Sequence, residues 1–181
     1  MDTPKSYPLK ILMLLQQVDR RIAMIKYSAI KEKDSYKVNV DKRYDDLYDV
    51  LTGRTSKCKV FDNQISLFIF AASIGHKRKI AKDIIQQSDN AIHCQPISEE
   101  QLATLFSIMV SDENLGGDLN YFLDNEYLSK GLRLAEKYAQ AGMEVLCDEV
   151  FEERWNGSTL SKEYSDYGAD LLRFIYTERN F

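Results

Sequence analysis

Residues 65–74 read ISLFIFAASI, a ten-residue stretch in which only two serines interrupt the apolar side chains. On a helix these residues would cover almost every face, so we predict a helix buried at the centre of the core. Asp62 is a favourable N-cap for this helix, and Gly75 is its expected C-terminal end. The stretch is too short to span a membrane, and no run of about 18 apolar residues occurs elsewhere in the chain.

The chain before this stretch contains two more helical patterns and one extended pattern. An apolar stripe at three- and four-residue steps from Leu9 to Ile25 predicts an amphipathic helix. Residues 36–40 alternate between apolar and polar side chains, which predicts a short strand. Residues 41–51 are helical again in pattern, and Gly53 is the expected stop.

Helical patterns continue after the stretch. Ser98 and Gln101 have the spacing of a capping box at the start of one helix. The longest pattern runs over residues 126–153, and Ala139 and Gly142 within it would let another helix approach closely. A last helix is predicted to begin at Ser158 or Ser161.

These patterns predict an all-α fold, a compact bundle of about six helices with at most one minor strand pair. At 181 residues the chain fits a single domain, 1–181, whose residues 1–30 contain the N-terminal helix. Hydrophobic residues make up 44% and charged residues 29%, an ordinary globular balance. The three cysteines are odd in number and widely spaced, and the N-terminus lacks the pattern of a signal peptide. We therefore expect a protein of the reducing cytoplasm with no membrane contact.

Charge is distributed unevenly along the chain. Residues 1–82 contain 17 Lys/Arg and 9 Asp/Glu, whereas residues 83–181 contain 7 and 19. Such asymmetry favours a basic surface that meets a polyanion and an acidic surface that meets a different partner. The alternative is that the two halves pair with each other in the fold.

The densest basic segment is HKRKIAK, residues 76–82. We predict that it contacts the DNA backbone, with salt-sensitive and largely sequence-independent affinity. Cations at a helix C-terminus also have an ordinary explanation, since they complement the negative end of the helix dipole. The predicted DNA-binding residues are Lys77, Arg78, Lys79 and Lys82.

The acidic half contains the only tryptophan, Trp155, beside an arginine and several carboxylates. Aromatic anchors in polar surroundings are typical of interface centres, so we predict partner contact through Glu149, Glu152 and Trp155. The alternative for Trp155 is that it closes the core at a helix end.

Candidate chemistry is sparse. The chain has two histidines, and neither they nor the cysteines have the spacing of a zinc site. Carboxylates cluster at Asp45, Asp46 and Asp49, but without a companion lysine at a strand end, as a metal-dependent nuclease would need. No glycine-rich loop matches a phosphate cradle. We therefore assign no catalytic residue, no metal ligand, no cofactor and no small-molecule substrate.

Three stretches resemble a known family: residues 38–53 (VNVDKRYDDLYDVLTG), 57–79 (KCKVFDNQISLFIFAASIGHKRK) and 134–150 (LAEKYAQAGMEVLCDEV). They are similar to DNA phosphorothioation-associated protein 4, also called dnd system-associated protein 4. The segments Phe61–Gly75 and Tyr138–Gly142 carry the resemblance. His76 departs from it, because an aromatic or apolar residue is expected after the glycine.

The resemblance implies a component of a bacterial anti-phage defence system, encoded beside operons that place sulfur in the DNA backbone or restrict DNA lacking it. It implies a multi-protein assembly and supplies no catalytic residues. Our main hypothesis is a non-enzymatic accessory subunit that contacts DNA through its basic half and a partner through its acidic half. The alternatives are a protein adaptor without DNA affinity and, third, a metal-dependent nuclease.

Overall fold

The structure is a computed structural model that describes residues 36–112, 115 and 125–178. The helix predicted from Leu9 to Ile25 lies outside these residues. The described part contains five α-helices, two 3₁₀ turns and one pair of two-residue strands, so the predicted fold class is confirmed. In chain order the elements are β1 (Lys37–Val38), a 3₁₀ turn (Lys42–Tyr44), α1 (Asp45–Leu51), α2 (Gln64–Lys77), β2 (Ile92–His93), α3 (Glu99–Ser111), α4 (Asn125–Glu149), a 3₁₀ turn (Glu152–Arg154) and α5 (Tyr167–Glu178).

Helix α2 is the centre of the core, as its apolar run predicts. Eight of its residues are buried, among them Leu67, Phe68 and Ala71. Its N-cap is Asn63, and the prediction of Asp62 is wrong by one residue. Asn63 has extended backbone geometry and its side chain accepts a hydrogen bond from the Ser66 N–H at 2.9 Å, whereas the Asp62 carboxylate faces solvent beside Lys59.

The prediction that α2 ends at Gly75 is also wrong, because the helix continues to Lys77. It ends in a Schellman motif, in which Lys79 N–H bonds to the His76 carbonyl and Ile80 N–H to the Gly75 carbonyl. The residue in the left-handed conformation is Lys79, at φ 56°, rather than a glycine.

Gly75 serves packing rather than termination. A Cβ at this position would lie well under 3.0 Å from the carbonyl oxygen of Tyr138 in α4. A Cβ at Gly142 would lie equally close to the carbonyl oxygen of Ala71 in α2. The close approach predicted from Ala139 and Gly142 is thus confirmed, and it needs a glycine on both helices.

Helix α4 turns its predicted apolar face to this core: Leu128, Leu132, Ala135, Ala139 and Leu146 are buried. It ends at Glu149 rather than at the predicted residue 153. Phe151 then turns inward, fully buried, with its ring edge-on to Tyr167 at 5.5 Å between centroids.

Helix α3 begins with the predicted capping box. The Ser98 side chain accepts from the Gln101 N–H at 3.2 Å, and the Gln101 side chain accepts from the Ser98 N–H at 2.9 Å. Leu102, Leu105 and Met109 of this helix pack into the core, and Phe106 is partly buried against it.

The predicted strand is present and pairs antiparallel with β2, so that Lys37 lies opposite His93 and Val38 opposite Ile92. The buried carboxylate of Asp41 then ties the following chain to the core. It accepts hydrogen bonds from the backbone N–H groups of Arg43 and Ile85 at 3.1 and 2.9 Å.

Helix α5 begins at Tyr167, so the predicted start at Ser158 or Ser161 is wrong. Asn156 accepts from the backbone N–H groups of Ser158 and Thr159, and Trp155 bridges to Leu160, so these residues form a turn. The Leu160 N–H donates to the Asp46 carboxylate at 2.9 Å, which fixes the turn on α1.

We predict that Gly142→Ala lowers the free energy of unfolding by at least about 1 kcal/mol, although alanine favours a helix, because its methyl group would collide with the Ala71 carbonyl. Urea denaturation followed by circular dichroism measures this change. Gly168→Ala is the matched control, since a Cβ there meets nothing within 4 Å. Equal stability of the two variants would contradict the close packing of α2 and α4.

Candidate functional site

The four residues predicted to bind DNA lie at and just beyond the C-terminal end of α2. Lys77 is the last helical residue, Arg78 is the C-cap and Lys79 follows in the left-handed conformation. Lys82 lies in the next stretch, where its backbone N–H donates to the Lys137 carbonyl of α4 at 3.0 Å. Lys77, Arg78, Lys79 and Lys82 together form the basic segment.

Three of the four cations in the basic segment form ion pairs with carboxylates from the second half of the chain. Lys77 pairs with Glu178 at 3.1 Å, Arg78 pairs with Glu149 and Glu178, and Lys82 pairs with Glu144. At this place the basic and acidic halves pair with each other, which is the alternative explanation of the charge asymmetry.

Arg78 is the centre of this network. Its guanidinium binds both carboxylate oxygens of Glu149, with Nη2 at 2.7 Å from Oε2, and Nη2 also lies 2.6 Å from Glu178 Oε1. The guanidinium also lies 5.7 Å from the centroid of the Phe174 ring. The two carboxylates raise the pKa of Arg78, and the hydrogen bond from Arg78 is the main reason that the pKa of Glu178 is lowered. The network therefore joins the ends of α2, α4 and α5.

Lys79 differs from the other three cations. Its side chain is exposed, and it forms no ion pair with any residue in the described ranges. Its positive φ is a conformation that L-residues other than Asn and Asp rarely adopt. A charged side chain is thus presented to solvent at a backbone position that glycine would occupy with less strain.

The residues predicted to bind a partner lie close together but in different environments. Glu149 is held by Arg78, and Glu152 is exposed on the 3₁₀ turn that follows α4. Trp155 is half-buried against the core, with its ring 6.1 Å from that of Tyr44 between centroids. The structure therefore brings Glu149 together with Arg78, two residues that the sequence assigned to separate surfaces.

The remaining candidate groups have structural partners. Asp46 accepts from Leu160 and pairs with Lys162, and Asp49 binds Arg54 and Gln64. Burial raises the pKa of both the Cys94 and the Cys147 thiol to about 12, so neither forms a thiolate readily.

Among the described residues, no three His, Cys, Asp or Glu side chains are grouped to hold a metal ion. None of the described helices is both long and apolar enough to cross a membrane.

Sequence reasoning missed an exposed apolar strip on α5, formed by Leu172, Ile175 and Tyr176. The exposed fractions of Leu172 and Tyr176 are 69% and 72%, while Tyr167 and Leu171 of the same helix are buried. A signal was present in LLRFIY, residues 171–176, because one buried face cannot accommodate five apolar residues out of six. Contiguous exposed apolar surface marks an interaction site more often than scattered apolar residues do.

A comparison with protein families matches residues 37–173 to DNA sulphur modification system-associated protein 4. The chain belongs to this family. The matched range includes the basic segment, all of α4 and the first half of α5, and it confirms the resemblance found in the sequence. No curated protein and no solved structure matches the chain. As a family member, the chain is associated with a DNA sulphur modification system.

The network at Arg78 predicts a pH-dependent contribution of Glu178 to stability. The pKa of this carboxyl is lowered in the folded protein, so its stabilising effect is present above the unfolded pKa and is lost as pH falls through the folded pKa. We expect Glu178→Gln to lower the free energy of unfolding by about 1 kcal/mol at pH 7. The difference from the unchanged protein should be smaller at pH 3 than at pH 7.

Urea denaturation at the two pH values measures this effect. Glu153→Gln is the control, because Glu153 is largely exposed and lies 3.6 Å from its single ion-pair partner in the described chain, Arg154. A loss of the same size for Glu178→Gln at both pH values would show that the side chain acts through packing rather than through its charge.

Proposed function

We propose that this chain is a non-enzymatic accessory subunit of a bacterial DNA sulphur modification system, acting in the cytoplasm through contact with a protein partner. The observation that carries this proposal is the exposed apolar strip on α5, together with the ion pairs that occupy most of the basic segment. The family description, a system-associated protein, agrees with an accessory role.

The strip has the composition of an interface centre. Tyrosine and large aliphatic side chains supply contact area, and Leu172 and Tyr176 expose most of their surface. Helix α5 adjoins the end of α4 along a groove lined by Glu149, Val150, Asp170, Arg173, Phe174 and Thr177. The residues of α5 that line this groove are not those of the strip, so the strip offers a contact surface separate from the predicted partner-binding residue Glu149.

The exposed charges of the described residues favour a basic partner. Asp148, Glu152 and Glu153 are exposed around the end of α4, and the described residues contain 21 Asp/Glu against 16 Lys/Arg. Like charges repel each other across an interface, whereas opposite charges speed the association of two proteins. We therefore expect a partner surface that combines an apolar patch with exposed lysine or arginine.

The test is co-purification of the tagged chain with the other proteins encoded in the same gene cluster. We expect Leu172→Glu combined with Tyr176→Glu to reduce co-purification by at least roughly tenfold, because it places two charges in the centre of the interface. Ile85→Glu is the matched control, since Ile85 is an 82% exposed apolar residue outside α5. Equal effects of the two changes, or no partner at all, would exclude the strip as a partner surface.

A second candidate function is direct contact with the DNA backbone through the basic segment. The observation that favours it is Lys79, an exposed cation held in a left-handed conformation. Strain of this kind clusters at functional positions. Lys77 and Lys82 also keep about half of their side-chain surface exposed, at 48% and 49%, so a phosphate could reach them.

Two variants of Lys79 test this second candidate. Lys79→Gly relieves the backbone strain and should leave the free energy of unfolding unchanged or raise it by up to about 1 kcal/mol, whereas Lys79→Ala keeps the strain. If Lys79 meets phosphate, both variants lose DNA affinity equally, and the slope of log K against log salt falls by about 0.9. Fluorescence anisotropy with a duplex measures the affinity.

Lys57→Ala is the control for this experiment. Lys57 is exposed and, like Lys79, has no ion pair within the described part of the chain. Phosphate contact by Lys79 would be contradicted if Lys79→Ala lost more DNA affinity than Lys79→Gly, because the loss would then follow stability rather than charge. An equal loss of affinity in Lys57→Ala would contradict it as well.

A further inference from the structure

We propose that Glu149 and Glu178 form an acidic cover that occupies the phosphate-binding positions of the basic segment, so that DNA contact requires their displacement. This inference rests on the second candidate function, direct contact between the basic segment and the DNA backbone. It adds a control element to that contact, built from the ends of α4 and α5.

The geometry at Arg78 is the first support. An arginine guanidinium binds a carboxylate and a phosphate in the same way, through two parallel N–H···O bonds. In this fold Glu149 fills that two-pronged position, and Glu178 takes a further bond from Nη2 at 2.6 Å. A DNA phosphate therefore has to replace a carboxylate to reach Arg78.

Glu178 also covers the neighbouring cation. The ammonium group of Lys77 lies 3.1 Å from its carboxylate and donates to its backbone carbonyl as well. One residue at the end of α5 thus binds two of the four cations in the basic segment. Its side chain is only 15% exposed, so its contacts with these cations are largely shielded from water.

The position of Glu178 in α5 makes the cover displaceable. The two buried residues of α5, Tyr167 and Leu171, lie in its first half, and Glu178 is its last residue. Helix ends open at low free-energy cost compared with a buried core. The final turn can therefore leave Arg78 while Tyr167 stays packed on Phe151.

The pair that Glu149 forms with Arg78 is also weak enough to exchange. Glu149 keeps 44% of its side chain exposed, and ion pairs at such positions contribute little to stability. DNA offers a row of phosphates and gains from counterion release at each one. Lys79, already exposed, would provide the first contact before the cover opens.

The experiment measures binding of the full chain to a fluorescent duplex over a salt series, beginning at about 50 mM. We expect Glu149→Gln combined with Glu178→Gln to bind roughly tenfold more tightly than the unchanged chain, with a salt slope steeper by about 2, because two further cations meet phosphate. Adding Arg78→Ala and Lys77→Ala to this variant should remove the gain.

Glu152→Gln combined with Glu153→Gln is the matched control. It likewise removes two negative charges, here from the 3₁₀ turn that follows α4, but neither carboxylate binds the basic segment. Glu149→Gln alone keeps the Glu178 contacts and should give a smaller gain. Circular dichroism confirms that each variant is folded.

Each outcome separates the cover from the DNA contact itself. A gain with a steeper slope for the Glu149/Glu178 variant, absent from the control, supports the cover. Equal gains in DNA affinity for the Glu149/Glu178 variant and the Glu152/Glu153 control would show that net charge alone causes the gain, which overturns the cover. Binding by the unchanged chain without any gain overturns the cover and leaves the DNA contact intact, whereas no binding by any variant overturns both.

Discussion

The close approach of α2 and α4 is the constraint on which the rest of the fold depends. Two glycines allow it, Gly75 against the Tyr138 carbonyl and Gly142 against the Ala71 carbonyl, and a methyl group at either position would force the helices apart. Protein cores are packed so densely that even one methylene is felt, so backbone contact of this kind permits a single arrangement. Because the last turn of α2 lies against α4, the cations that follow it meet the carboxylates of α4 and α5.

This arrangement decides how the uneven charge of the chain is used. Arg78 lies where three helix ends meet. Carboxylates of α4 and α5 pair with three of the four cations in a segment that looks strongly basic in the sequence. Exposed charge is left on Lys79 and on the carboxylates beyond α4, and exposed apolar surface is left on α5. The surface therefore suits a protein partner without further change, whereas a DNA phosphate must compete with Glu149 and Glu178.

Features of a helix that depend on residues close together in the sequence could be predicted. The capping box at Ser98 and the buried face of α4 depend on residues three or four positions apart, and both are confirmed. The predicted C-terminal end of α2 and the predicted start of α5 are wrong, because the residues on which these predictions rest have other roles in the fold. Gly75 predicts a helix end because glycine is common there, but its lack of a side chain serves helix contact instead. Ser158 is a favourable N-cap by residue type, but the backbone N–H groups of Ser158 and Thr159 donate to the Asn156 side chain and close a turn instead.

The sequence alone determined the helical class, the central position of ISLFIFAASI, the family and the presence of two oppositely charged halves, because composition and short-range periodicity carry that information. Only the tertiary structure decided which charges face each other. Arg78 and Glu149 are 71 residues apart, and Arg78 and Glu178 are 100 apart. Pairings at such separation follow from the packing of whole helices, and no pattern within a single segment encodes them.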